Sequence, residues 1–433
     1  QWTTTYLSEA KAQLGSASLG NKVYFAGGSA PTGPSNLVEI YDIQNETWQI
    51  DTLTAARAYP GVVAAGSKVF VAGGIDWLGP TNYATVDIFD TLTQEWTQAE
   101  LSSPRMYVQP VAVQNKVLFA GGYHFTSLQP LMTEFTNTVD VYDLENESWS
   151  VDTLSIGRGD MGVAVLGDKA YFGGGRISVD SVSNRIDIYD ASTDTWSTDS
   201  LVVPRAFLAA TTAGSKVLFA GGTTQDNLQS DLVEIYDTNS EEWSYGTLLV
   251  ARSFSTRGGS ACEKAFFIGS GPIDLTTFIF TADSDVIDIY DAVNDEWSLE
   301  MLPRTSINHT TASISNHILV AGGLRISGGF SLSNEVNIFT CETTTDLEPG
   351  PETEQAFNVY PNPFGSTLYI EQKTGVPTNA LFRIYNDKGQ LLQSGQITDP
   401  LGQLNLKNLN PGIFFLELAN EAQYQIEKLV KAR

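Results

Sequence analysis

The chain has 433 residues, 24 of them Lys or Arg and 50 Asp or Glu, for a formal net charge of −26. A field of that sign argues against nucleic acid and anionic membrane surfaces as partners, because no basic patch easily outweighs it. No run of about 18 apolar residues occurs, so no membrane span is expected.

In chain order, the sequence opens at Gln1 rather than Met, which suggests a removed leader. QWTTTYL carries Trp2 with no glycine pair before it. Residues 22 to 48 then set a unit that recurs: KVYFAGG, a polar loop, and LVEIYDIQNETW. Glycine pairs or variants follow at Gly27 and Gly28, Gly73 and Gly74, Gly121 and Gly122, Gly174 and Gly175, Gly221 and Gly222, Gly269 and Ser270, and Gly322 and Gly323. The first six are followed by Tyr41, Phe89, Tyr142, Tyr189, Tyr236 and Tyr290, each with an Asp after it, and then by Trp48, Trp96, Trp149, Trp196, Trp243 and Trp297. Runs such as KVLFAGG read as short buried strands, the glycines as crowded strand ends, and DIQNETW as a tight turn.

The seventh glycine pair leads to VNIF, ending at Phe339, with no Trp after it. Each end of the repeat region thus lacks what the other supplies, and the N-terminal strand is expected to complete the seventh unit. The pattern resembles the kelch family, and that resemblance implies a β-propeller of seven four-stranded blades over residues 1–341. Ser270, Phe89 and Phe339 depart from it.

Residues 342–355, ETTTDLEPGPETEQ, read as a solvated linker. Residues 356–433 read as a small all-β sandwich. Its Tyr360-Pro361-Asn362-Pro363, Asn386 to Gln390 around Gly389, Pro411-Gly412-Ile413 and basic end resemble the type A C-terminal sorting domain of type IX secretion. That likeness implies a Gram-negative, Bacteroidetes-type source, passage through the periplasm, handling by the type IX machinery, and secretion or surface display. Pro361, Asn362, Pro363, Gly389 and Gly412 stand as its signal residues.

For chemistry, the sequence offers one cation per unit at the return to each innermost strand: Lys11, Arg57, Arg105, Arg158, Arg205, Arg252 and Arg304. Two residues later stand Gln13, Tyr59, Tyr107, Asp160, Phe207, Phe254 and Ser306. Propeller symmetry is expected to gather both sets around one mouth of the channel, unless the arginines bond to loop carbonyls. Trp77, Tyr83, Tyr123, His124, Phe125, Phe135, Phe278, Phe280 and Phe330 lie in loops expected to share that face, as a recognition surface or packed against one another.

Galactose-oxidase-type propellers hold copper with two His and two Tyr; here His124, His309 and His317 are not expected to converge, and no metal or other cofactor is expected. Asp283 and Asp285 read as a solvated loop rather than a Ca²⁺ site. Whether Cys262 and Cys341 pair is left open by their number. Asp51-Thr52-Leu53, Asp152-Thr153-Leu154 and Asp199-Ser200-Leu201 resemble an O-glycosylation tripeptide of the same bacterial group, or simply mark a repeat position. The expected function is binding without catalysis, to a protein or to further copies in an extracellular structure. A carbohydrate-binding lectin-like module and a sugar-active enzyme of the kelch mutarotase or oxidase kind are the alternatives.

Overall fold

The computed structural model describes residues 2–79, 81–128, 131–253, 256–269, 273–274, 279–280, 285–304, 307–325, 331–341, 357–373, 380–386, 391–419 and 424–431. The chain divides into two compact units, Gln1–Thr343 and Thr344–Arg433. Among the described residues every regular element is a β-strand.

The first unit contains seven four-stranded antiparallel sheets, numbered one to seven here in the order of their innermost strands. Sheet one runs Gly15–Leu19, Lys22–Ala26, Leu37–Asp42 and Thr47–Thr52, and sheets two to six repeat that order from inside to outside. Sheet seven breaks it. Its inner three strands are Thr310–Ile314, His317–Ala321 and Glu335–Thr340, and its outer strand is Trp2–Tyr6, with Trp2 opposite Phe339 and Tyr6 opposite Glu335. The complementary ends of the repeat region thus meet in one sheet. No sheet closes on itself; instead each innermost strand lies beside that of the next sheet, and Thr310–Ile314 lies beside Gly15–Leu19.

Apolar cores form between consecutive sheets rather than inside one. Tyr24, Val38 and Ile40 of sheet one pack with Val69, Val71 and Phe89 of sheet two, and Leu319, Val336 and Ile338 of sheet seven pack with Val23, Phe25 and Tyr41 of sheet one. Strands buried on both faces explain why the second and third strands read as near-continuous apolar runs. The tryptophans fill the outer part of each seam. Trp48 rests on Tyr41 with ring centroids 4.8 Å apart and donates its Nε1–H to Thr5 Oγ1 of sheet seven at 2.9 Å.

The aspartates after the aromatics cap the outer turns: Asp42 Oδ1 accepts the amides of Gln44 and Asn45, each at 3.0 Å. Cys262, in the inner turn of sheet six, is disulfide-bonded to Cys341 just past the last strand of sheet seven. Closing a loop with a sequence separation of 79 contributes on the order of 4 kcal/mol in the chain-entropy view.

The second unit stacks a three-stranded sheet, Phe357–Tyr360, Thr367–Gln372 and Leu401–Asn405, against a four-stranded one of Leu391–Ile397, Ala380–Asn386, Gly412–Ala419 and Tyr424–Lys431. Phe357, Ile370, Phe382, Leu416 and Leu429 belong to the shared core. The Pro-Asn-Pro stretch ties the opening of this unit to its last strand. Both X-Pro bonds, Tyr360-Pro361 and Asn362-Pro363, are cis. Asn362 Nδ2 donates to Lys428 O at 2.6 Å, and its Oδ1 accepts the Val430 amide at 2.9 Å. Lys431 Nζ donates to the carbonyls of Leu406 and Leu409. Gly412 begins the third strand of the four-stranded sheet. Gly389 lies outside the described residues.

Candidate functional site

The sequence places a cation and, two residues on, a second group at the start of every innermost strand; the structure sends the two to different places. Lys11, Arg57, Arg105, Arg158, Arg205 and Arg252 are fully buried. Each pairs with a carboxylate on the third strand of the sheet whose innermost strand follows it in the chain: Lys11 with Glu39 at 2.6 Å, Arg105 with Asp140 at 2.5 Å, Arg205 with Glu234 at 2.8 Å, and Arg57, Arg158 and Arg252 with Asp87, Asp187 and Asp288. The reading of Arg57, Arg105, Arg158, Arg205 and Arg252 as ligand-facing groups is therefore corrected: a guanidinium sealed from water beside its own carboxylate has no face left for a ligand. Burial pulls Arg57 and Arg158 down to about 10, and both stay charged at neutral pH.

The same residues latch neighbouring sheets through their backbone. Gly28 N donates to Arg57 O at 2.9 Å, Gly122 N to Arg158 O at 2.9 Å, and Gly323 N to Lys11 O at 2.9 Å, so the last sheet is latched to the first. At the first glycine of each pair a side chain has no room. A Cβ on Gly121, at φ +58°, would stand 2.4 Å from Arg158 O. The double glycine is thus the socket for the next sheet's buried cation.

Arg304 stands apart. It is exposed and lies 3.4 Å from Glu335. Ile307 bridges Leu324 as Met106 bridges Tyr123, so Asn308, not Ser306, occupies the place of Tyr107. The turn is as long as its counterparts, with Leu302 bonded as Leu101 is, but its Pro-Arg pair stands two positions earlier than in LSSPRM, and that displaces the register the motif suggests. Phe254 and Ser306 lie outside the described residues.

The second set does converge. Gln13, Tyr59, Tyr107, Asp160 and Phe207, all at positive φ between 52° and 60°, line one cavity of 320 Å³ to which all seven sheets contribute. Holding a non-glycine side chain at such a φ costs of order 1 kcal/mol or more. Its recurrence brings each of these residues to the same cavity.

Tyr59 stacks on Tyr107 with centroids 4.3 Å apart, and Tyr107 on Tyr123 at 5.3 Å. Trp77, 42% exposed, meets Tyr59 edge-on at 5.9 Å and Phe125 at 6.4 Å. Tyr83 roofs the Arg57 guanidinium at 5.7 Å. The loop aromatics Trp77, Tyr123, Phe125 and Phe135 of sheets two and three therefore pack on one another, as the second of the two sequence readings has it. His124 is half-buried, its Nε2 3.6 Å from Glu134 Oε2.

Two cations in this cluster escape the repeat. Arg176, directly after Gly175, donates its Nε–H to Asp160 Oδ2 at 2.7 Å and its NH2 group to the Tyr123 hydroxyl at 3.2 Å. Its guanidinium lies over Phe207 at 4.8 Å and over Tyr123 at 5.3 Å. Arg257 lines the cavity from sheet six at the position held by Gly15, Gly61, Gln109, Gly162, Ala209 and Thr310 in the other sheets. Sequence reasoning passed over both. The available signal was a cation at two repeat positions that are otherwise small or uncharged.

Desolvation pushes the Asp160 carboxyl up, against the opposing pull of Arg176 and Arg257. Burial drives the Tyr107 phenol well above its ordinary value, with Tyr59 and Tyr123 adding to the effect.

Asp51, Asp152 and Asp199 accept the indole N–H of Trp96, Trp196 and Trp243 in the next sheet at 2.7, 2.6 and 3.2 Å, so the aspartate of each Asp-Thr/Ser-Leu tripeptide is a seam residue, while Thr52, Thr153 and Ser200 are exposed. Among the described residues no three His, Cys, Asp or Glu side chains gather as a metal site would need. The side chains of Asp283, Phe278, Phe280 and Phe330 lie outside them.

Residues 15–202 match the KLHDC2/KLHL20/DRC7 Kelch-repeats domain, and residues 358–432 match the secretion system C-terminal sorting domain. The chain thus carries kelch repeats, which imply a β-propeller, and a tail that implies export by type IX secretion to the cell surface or beyond. No curated protein sequence matches it.

Proposed function

We propose that this exported protein is a non-enzymatic binding module, built as a closed seven-bladed propeller, that takes a small polar ligand into the cavity at one end of its channel. The observation that carries this reading is the convergence of all seven sheets on one 320 Å³ space lined by Gln13, Tyr59, Tyr107, Asp160 and Arg257. That volume sits at the lower end of the roughly 300–1,000 Å³ of small-ligand sites. Tyr107 is covered on its two faces by Tyr59 and Tyr123, so recognition rests on hydrogen bonds and charge rather than on stacking a sugar ring. The route through the periplasm of a Gram-negative cell, with the sorting unit read by the type IX machinery, belongs to the same proposal.

A protein partner at the rim is the second reading, favoured by the half-exposed Trp77 beside Tyr59 and Phe125. The test is a binding screen of small polar compounds and glycans against the full chain and Tyr107→Ala. Loss of a hit in the variant with unchanged melting supports the cavity. A hit lost only in Trp77→Ala supports the rim, and turnover of a sugar lost in Asp160→Ala favours the enzymatic alternative.

A further inference from the structure

We propose that the cavity selects a small uncharged polyol, one hydroxyl of which donates to Asp160 Oδ1 while another bonds to the Thr256 hydroxyl. This rests on the cavity being the binding site.

Several polar groups that line the cavity are matched within the protein. Gln13 Oε1 accepts the Ser29 hydroxyl at 2.7 Å, and the hydroxyls of Ser16 and Thr310 bond to each other at 2.7 Å. Two groups are not matched. Asp160, 4% exposed, accepts Arg176 Nε–H on its Oδ2, whereas its Oδ1 is buried with no hydrogen-bond partner. Thr256, 2% exposed, has a buried hydroxyl that likewise makes no hydrogen bond. Both residues line the cavity, and among the described residues no other side chain that lines it holds a buried polar atom without a partner.

An orphaned buried oxygen is costly, and a ligand that brings the missing partners removes the cost. An ionised carboxylate only accepts, while a threonine hydroxyl both donates and accepts. A ligand hydroxyl suits each of them. The charge of Asp160 is already met by Arg176 at 2.7 Å, whose guanidinium is held over Phe207 at 4.8 Å and Phe135 at 5.4 Å, so the incoming donor need not be an ammonium. The two orphans come from different sheets, Asp160 ahead of Gly162–Leu166 and Thr256 ahead of Arg257–Ala261, which calls for a compound with several hydroxyls. A space of 320 Å³ keeps that compound small.

Isothermal titration or ligand-observed NMR on the full chain, with myo-inositol, glucose, glucosamine and glucuronate, tests this, since the last three share a ring and differ in charge. One of the two neutral compounds is expected to bind about tenfold more tightly than either charged one, with an affinity that holds when salt is raised to about 0.5 M. Thr256→Val is expected to weaken that binding about fivefold or more, and Asp160→Asn about tenfold or more. Because the Thr256 hydroxyl has no partner in the protein, Thr256→Val is also expected to melt no lower than the unaltered chain. Should Asp160→Asn fail to fold, Thr256→Val and the charge preference still decide. Tighter binding of glucosamine or glucuronate than of the neutral compounds, or undiminished binding in Thr256→Val, overturns the polyol assignment and leaves the site standing. If none of the four probes binds, ordered water meets the two orphans instead and the assignment fails; the site falls with it when the wider screen also finds no compound whose binding is lost in Tyr107→Ala.

Discussion

The seams between sheets and the cavity that all seven sheets line are built from positions only two residues apart, and they use them in opposite ways. At the seam position stand Lys11, Arg57, Arg105, Arg158, Arg205 and Arg252, all buried, all cationic, each answered by an acid of the sheet that follows it in the chain. At the cavity position stand Gln13, Tyr59, Tyr107, Asp160, Phe207 and Asn308, with the same backbone conformation and side chains that range over carboxamide, phenol, carboxylate and phenyl. Where the repeat holds its chemistry constant it is solving a packing problem that recurs; where it holds only the backbone constant, side chains are free to differ and to recognise something without symmetry.

Four outcomes would break or sharpen that contrast. The largest effect is expected from deleting residues 1–7, which removes the outer strand of sheet seven, its five register pairs and the Trp2–Phe339 contact. Loss of a strand and a large aromatic should cost at least about 3–5 kcal/mol, and calorimetry showing an unchanged melting temperature would refute the role given to this strand. Next comes Arg105→Ala, which leaves Asp140 as an uncompensated buried charge and should cost about 3–5 kcal/mol. In denaturant titrations, Arg105→Met with Asp140→Leu should recover much of that loss, since two well-packed apolar groups replace the pair.

A smaller effect is tied to the outer turns. Hydrogen bonds from Lys68 and the Leu92 amide hold Asp90 down to about 2, and those from the Asn146 amide and Lys116 do the same for Asp143. Carboxyls below their ordinary value of 3.8 contribute stability that is complete above about pH 4 and lost as pH falls toward 2. Unfolding followed across that window should flatten in Asp90→Asn. The smallest effect is expected at the rim: Trp77→Ala, at an exposed position, should change stability by about 0.5 kcal/mol or less, and a drop of several degrees in melting would make Trp77 a packing residue instead.

Much of the architecture is legible in the residues because close packing leaves the sequence little freedom. Gly121 has no room for a Cβ, the residues of Lys116–Ala120 after its lysine are buried, and Asp143 must cap a turn; each demand names a residue type, and the demand recurs. The register of sheet seven was harder. Pro303 and Arg304 imitate Pro204 and Arg205, but the alignment that matters is set by the Ile307–Leu324 bridge. Arg176 and Arg257 were illegible for the opposite reason: each occurs once, and no periodicity points to it. The disulfide is a matter of approach in space, with Cα atoms 6.6 Å apart across two sheets, which a count of two cysteines does not reveal.

The pairing of Trp2–Tyr6 with Glu335–Thr340 also sets a clock. A chain made from its N-terminus at roughly 5–20 residues per second presents this first strand about 20 to 70 seconds before its partner exists. Throughout that interval Trp2 and the edge of its strand are unmatched, open to any neighbouring chain. Contacts this distant in sequence also form slowly once both halves are present. Sheet seven is therefore finished by a strand made long before the other three, and whatever guards the nascent chain has to guard that strand longest.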